Sequence, residues 1–287
     1  TAQNVLIIGN KKIFELFETK HGLSFPGDFE VLEVPFDEND YNPGKETAAA
    51  GEFSYRCLEH ACGLAKQGRI SAIVTAPVSK NTMQLAGHDF SGQTEVIEHF
   101  LAHDGQRAEM LFAARDFRVM LLTRHVPLAC VRVTKDLIIE KVLRLNEALK
   151  NNFAIHRPSI ALCALNPHAG EKGILGMDER EEMVPAVSAL CEAGVNITLP
   201  VPADTLFSKA ASEYRYGAQP YDCYVACYHD QGLIPIKALA MDECVNMTIG
   251  LDILRTSPAH GTAYDIAEFC CARPDSMVAA IEAAIAR

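Results

Sequence analysis

Short, continuous apolar runs alternate with longer amphipathic segments along nearly the whole chain, and this rhythm restricts the fold more than any other feature. Residues 4–8, 30–34, 71–76, 109–113, 117–123, 159–165, 196–201 and 222–228 are the predicted strands. Several are apolar at consecutive positions, the pattern of strands covered on both faces. Between them, residues 46–67 are Ala-rich with apolar side chains at helical spacing. Leu137, Ile138, Val142, Leu145 and Leu149 form one stripe of a helix over residues 135–150. A helix over residues 179–193 closes at Gly194, and a last one opens at Asp275 or Ser276 and runs to Arg287. Such β–α alternation predicts an α/β fold, a layered and mostly parallel sheet with helices on both faces. The chain, residues 1–287, reads as a single two-lobed unit whose lobes divide loosely near residues 130 to 150.

Composition narrows the function. The 287 residues are 49% hydrophobic and 22% charged, which excludes disordered and collagen-like classes. Lys and Arg number 26 against 37 Asp and Glu, a net charge of −11 that repels a phosphodiester backbone and argues against nucleic acid. A small anionic substrate then needs a locally basic pocket. No apolar stretch approaches the roughly 18 residues of a membrane span, and the start carries no basic leader. Of ten cysteines, Cys163, Cys223 and Cys227 lie in apolar runs and Cys270 and Cys271 are adjacent; no C-x-x-C occurs. Buried free thiols in a reducing, cytoplasmic compartment are expected.

The nucleotide motifs G-x-G-x-x-G and G-x-x-x-x-G-K-[ST] are absent, as is H-E-x-x-H. The informative residues are three histidines that follow apolar strands: His125 in LLTRHVPL, His168 in ALNPHAGE and His229 in ACYHDQG. Parallel strands end on one edge, where α/β ligand sites form. Three imidazoles there make a candidate metal site with positions open to substrate; strand-capping polar residues are the structural alternative. His21, His60, His88, His99, His103 and His156 read as surface groups. Lys237, Asn246 and Arg255 form a second, cationic and polar constellation suited to phosphate or carboxylate. His260-Gly261-Thr262-Ala263 is expected to open a helix whose N–H groups face an anion. The segment TAPVSK ends a buried strand with Lys80.

The blocks TAPVSK, GHDFSGQTE, LNPHAGEKG, PADTLF, CYHDQGLIPIK, VNMTIGL and ILRTSPAHGTA, in that order, resemble the 4-hydroxythreonine-4-phosphate dehydrogenase family of pyridoxal phosphate biosynthesis. The resemblance runs from about Pro43 to the C-terminus. It implies an isocitrate/isopropylmalate dehydrogenase-like fold and a homodimer with active sites shared between subunits. One divalent metal per site, Zn foremost with Mg, Mn or Co as alternatives, would be held by His125, His168 and His229, drawn from both subunits. Gln93, Thr94, Lys237, Asn246 and Arg255 match substrate-binding positions, and NAD or NADP would lie near His260, Gly261 and Thr262. Asp204 matches the family's active-site aspartate; Asp204, Lys80 and Asp230 are all candidates for the base. The implied reaction oxidises 4-phosphooxy-L-threonine to 2-amino-3-oxo-4-phosphooxybutanoate, which decarboxylates to 3-amino-2-oxopropyl phosphate. Sister enzymes act on D-threonate or D-erythronate 4-phosphate, or on an aromatic dicarboxylate dihydrodiol; a non-catalytic metal- and phosphoester-binding relative is a further alternative. Two departures stand out. Gln93 occupies a position where the family usually has His, which removes a group able to carry charge or a proton. The family's opening Gly-Asp-Pro-type loop has no counterpart, as expected of a trimmed, truncated or incompletely recorded chain.

Overall fold

A computed structural model describes residues 5–24, 29–217 and 219–286. Asn4 and Arg287, outer ends of the first predicted strand and the last predicted helix, lie outside the described residues, as does Thr1. The chain separates into two compact units, one comprising residues 1–105 and 260–274 and the other residues 106–259 and 275–287. The division therefore falls at Gly105 and again at Ala259, not near residues 130 to 150. That stretch looks like a boundary because a turn at Leu128–Cys130 and a polar capping residue, Thr134, precede a helix. The helix nevertheless buries Ile138, Val142, Leu145 and Leu149 in the core of the second unit.

In the first unit, β1 (Leu6–Gly9) and β2 (Glu30–Glu33) pair in parallel on either side of α1 (Lys11–His21). Asn10 fixes this corner: its Oδ1 accepts the Lys12 N–H, and its Nδ2 donates to the Val34 carbonyl at 2.9 Å. The helix α2 (Ala48–Lys66), capped by Thr47, buries Leu58, Ala61, Cys62 and Leu64. β3 (Ala72–Val74), α3 (Lys80–Leu85) and α4 (Gln93–Leu101) complete the unit.

The second unit is built on β4 (Glu109–Ala114), β5 (Phe117–Leu121), β6 (Ser159–Leu162), β7 (Asn196–Ile197), β8 (Cys223–Ala226), β9 (Val245–Ile249) and β10 (Leu254–Pro258). Across the sheet the order is β10-β9-β4-β5-β8-β6-β7. The half running β5-β8-β6-β7 is parallel, whereas β5-β4-β9-β10 is antiparallel, so the sheet is mixed. Sequence reading misses β9 and β10 because they carry buried Thr248, Arg255, Thr256 and Ser257, a polar set unlike the apolar runs elsewhere. On one face, α7 (Ala203–Tyr216) and α8 (His229–Ala240) pack Leu206, Phe207, Leu233 and Ile236 against Phe112, Val119 and Tyr224. The other face carries α5 (Lys135–Phe153) and α9 (Asp275–Ile285). There Arg144 of α5 reaches buried Glu109 at 2.7 Å, joined by Lys141, and the Thr256 hydroxyl donates to the Ala280 carbonyl. The helix expected over 179–193 is a π-helical turn, Glu179–Met183, continued by α6 (Val184–Glu192).

All ten cysteines are free, and Cys62, Cys163, Cys223, Cys227 and Cys244 are buried. Burial pushes the Cys62 and Cys223 thiols up to about 12 and that of Cys244 to about 11. An unfolded thiol ionises near pH 8.5, so the unfolded chain loses these protons first as pH rises. Their contribution to stability is complete below about pH 8 and is lost toward about pH 11 to 12. The urea midpoint is therefore expected to stay level through neutral pH and to fall in the alkaline range. Alkylation at mildly alkaline pH is expected to label Cys130, Cys191, Cys270 and Cys271 first; early labelling of Cys223 would contradict this.

Candidate functional site

The parallel strands β5, β8 and β6 have their C-terminal ends on one edge, and the segments leaving them carry His125, His229 and His168 respectively. Hydrogen bonds extend the edge past the strands. Leu122 N–H donates to the Ala226 carbonyl at 2.8 Å, and both the N–H and the hydroxyl of Thr123 donate to the Cys227 carbonyl. Gln231, in the first turn of α8, ties the edge together: its Oε1 accepts the Cys227 N–H at 2.7 Å and its Nε2 donates to the Ala164 carbonyl at 2.8 Å. The same turn lies close against the sheet at Gly232. A Cβ there would sit 2.6 Å from Leu121 Cδ2 and 2.9 Å from the Ala226 Cβ.

This framework brings the His125 and His229 rings to a centroid separation of 5.6 Å, tilted by 45°. His229 Nδ1 lies 2.7 Å from Asp230 Oδ1. A neutral ring so held keeps its proton on Nδ1 and turns a lone pair outward at Nε2, the arrangement common in metal-ligating histidines. Asp230 is thereby placed as the orienting partner of His229. His168 sits on a different kind of backbone. Residues His168, Ala169, Glu171 and Lys172 all have φ between 42° and 59°, with Gly170 at 75° between them. A left-handed run of this kind costs roughly 1–2 kcal/mol per non-glycine residue, so neighbouring contacts must hold it. Gly170 has no room for a side chain: a Cβ would lie 2.7 Å from Glu179 Oε2 and 2.8 Å from the Gly176 carbonyl. The chemistry of the three imidazoles suits a divalent metal. Among the described residues of one chain, however, no three His, Cys, Asp or Glu side chains converge as a metal site.

The second constellation shares one face of the sheet. Asn246 pairs across with Phe112 and Thr248 pairs with Arg255, so Asn246, Thr248 and Arg255 project to the same side. Lys237 joins them from α8, its Nζ 6.0 Å from the centre of the Phe112 ring and donating to the Ala259 carbonyl at 2.9 Å. Arg255 is 3% exposed, and Asn246 Oδ1 is buried without a hydrogen-bond partner. An orphaned buried acceptor of this kind is a place where an ordered water or ligand fits. Asp204 lies apart, exposed on the first turn of α7, where its Oδ1 accepts the Thr205 N–H.

In the first unit, Gln93 opens α4 and its Nε2 donates to the Ala76 carbonyl at 3.0 Å, while its Oε1 is buried and unpartnered. Thr94 beside it is buried. Lys80 is exposed at the start of α3, after the capping Ser79. The Glu46 carboxyl, taking hydrogen bonds from Ser79 and Asn81, is held below the usual carboxylate range. His260, Gly261, Thr262 and Ala263 do not open a helix. They form an irregular segment followed by turns, and His260 Nδ1 faces the Gly261 carbonyl. Ala263 adopts φ 49°, a left-handed residue that breaks the helical path. His88 is no bare surface group either: it stacks on Tyr55 at 3.6 Å and meets Glu52 at 2.7 Å. Sequence reading missed Gln231 and Glu179, whose signal is only a polar residue close to each histidine block.

The family model described as pyridoxal phosphate biosynthetic protein PdxA matches residues 3–284. A 4-hydroxythreonine-4-phosphate dehydrogenase of Bacteroides thetaiotaomicron is 43% identical over 257 residues, covering 89% of this chain and 69% of that relative. The crystal structure of a 4-hydroxythreonine-4-phosphate dehydrogenase from Klebsiella pneumoniae superposes with a TM-score of 0.88 at 32% identity, covering 100% of this chain and 90% of that one. A terephthalate 1,2-cis-dihydrodiol dehydrogenase from Burkholderia xenovorans is more distant, with a TM-score of 0.64, 25% identity, and 98% and 88% coverage.

The crowding at Gly232 gives a direct test of the edge. Gly232→Ala is expected to destabilise the fold by about 1–3 kcal/mol, read from urea unfolding, because Leu121 and the sheet beneath cannot recede without strain.

Proposed function

The chain belongs to the PdxA family of pyridoxal phosphate biosynthetic proteins, and on that premise we propose that it is a metal-dependent, NAD(P)-linked dehydrogenase of 4-phosphooxy-L-threonine. The observation that supports this reading is the coincidence on one strand edge of the segments carrying His125, His229 and His168, with Asp230 hydrogen-bonded to His229 Nδ1. His125, His168 and His229 would hold the metal, Zn foremost. A divalent ion bound there would act as a Lewis acid toward the hydroxyl oxygen to be oxidised and toward the resulting keto oxygen during loss of CO₂. The nicotinamide, NAD or NADP, would accept the hydride.

The chain's own groups divide the remaining work. Lys237 and Arg255 supply positive charge against a net −11 background, and Asn246 adds an amide, a set matched to the substrate's phosphate or carboxylate. Gln93 and Thr94 match substrate-binding positions of the family and would offer neutral hydrogen bonds there. A base must take the hydroxyl proton; Asp204, Lys80 and Asp230 are the candidates for it, and one oxygen of Asp230 is already bonded to His229. The residues His260, Gly261 and Thr262 would line the cofactor's seat through backbone groups of their irregular segment.

A homodimer with the metal shared between subunits fits the same observations. Exposed Val126 and Leu128 follow His125, and exposed Ile174 and Leu175 follow His168, so apolar surface flanks two of the three imidazoles. Work in the cytoplasm is part of the same proposal; no helix among the described residues is long and apolar enough to cross a membrane.

The product sequence would be 2-amino-3-oxo-4-phosphooxybutanoate followed by 3-amino-2-oxopropyl phosphate. Gln93 leaves the choice of substrate open to experiment. Reduction of NAD and NADP is to be followed with 4-phosphooxy-L-threonine, D-threonate and D-erythronate 4-phosphates and an aromatic dicarboxylate dihydrodiol, each with added Zn²⁺, Mg²⁺ or Mn²⁺. Turnover is expected with the first, and turnover only with another overturns the substrate assignment. His168→Ala is expected to weaken metal binding and turnover by about 100-fold or more; retention of both would remove the histidines from the site.

A further inference from the structure

We propose that Glu179 is a positioning residue for His168: its buried carboxylate holds Asn166, and through Asn166 the left-handed stretch that presents the imidazole. This rests on His168 being a metal donor, as proposed above. Glu179 is 5% exposed, and both its oxygens face the loop. Oε1 accepts the Asn166 backbone N–H at 2.7 Å and Oε2 accepts the Asn166 side-chain amide at 3.0 Å. The same amide also donates to Asp178 Oδ2 at 2.9 Å. On its far side Oε2 lies against Gly170, where a Cβ would come within 2.7 Å. One carboxylate therefore holds the loop by hydrogen bonds two residues before His168 and packs against it two residues after.

The chemistry of the grip is selective. Both groups that Glu179 receives from Asn166 are donors, so the site requires acceptors at both positions. A glutamine of the same shape would have to turn its NH₂ toward one donor or the other, whichever way its amide is flipped. Glu179 is the first residue of the π-helical turn Glu179–Met183, which leads into α6. The strain in residues 168–172 makes the grip necessary. Without it, nothing in the backbone preferences of Ala169, Glu171 or Lys172 favours φ near 50°.

The test uses the full chain titrated with Co²⁺, whose visible absorption reports ligand geometry, and with Zn²⁺ by calorimetry. Glu179→Gln is expected to remain folded by circular dichroism, to bind Co²⁺ about 10- to 100-fold more weakly and to change the absorption band. Leu190→Ala is the control, since it opens a cavity in α6 away from Asn166; it is expected to lower Tm while leaving Co²⁺ affinity unchanged. Wild-type affinity and spectrum in Glu179→Gln overturn the inference. If that variant does not fold, Asn166→Ser, which removes the amide donor and keeps the carboxylate, is expected to weaken Co²⁺ in the same way, and an unchanged affinity overturns the inference. Failure of the wild-type chain to bind Co²⁺ overturns the metal reading instead. The inference is then decided by the His168 imidazole nitrogen resonances, which are expected to shift in Glu179→Gln and which, unshifted, refute it.

Discussion

The hydrogen-bonded register of β5, β8 and β6 is the constraint on which the second unit's candidate metal site depends. Three strands in parallel alignment bring three chain segments to one edge, and each segment then needs only a few residues to deliver a histidine. The alignment is reinforced beyond the strands by Thr123 and Gln231, whose side chains satisfy backbone groups that the sheet leaves open. Losing either would release a strand end rather than a single contact. Because the backbone groups are buried, water cannot replace those partners without opening the edge.

The parallel half of this arrangement is legible in the sequence, and the reason is burial. Residues 222–228 read as a strand because all four residues of β8 are buried and none of them carries a charge. The three histidines are visible for the same reason, each within three residues of the end of such a run. Residues 245–258 are harder. There the sheet buries Thr248, Arg255, Thr256 and Ser257, and polar composition suppresses the strand signal while tertiary pairing supplies the strand. The domain boundary misleads in the opposite direction: a capped helix start at Thr134 has the composition of a linker and the packing of a core element.

The loop carrying His168 is the least legible part. Its sequence contains glycines at positions 170, 173 and 176, which suggests unusual backbone, but nothing local announces that His168, Ala169, Glu171 and Lys172 also turn left-handed. Their conformation is imposed from outside by groups that lie later in the chain. The polar face of Lys237, Asn246 and Arg255 is intermediate: its residue types point to anion chemistry, whereas their common side emerges only from the register of β4, β9 and β10.

The position of β9 has a bearing on how the molecule is made. β9 pairs with β4 through Leu111 and Met247, residues nearly half the chain apart, and β10 pairs in turn with β9. Contacts of such long sequence separation slow folding, since a large loop must close before they form. On a ribosome, β4 would leave the exit tunnel long before its neighbour is synthesised, with its unpaired backbone edge and the apolar side chains of Leu111 and Phe112 uncovered. An uncovered edge of this composition invites pairing with another nascent chain. The sheet that organises the site thus carries an open strand edge for much of the time the chain is being made.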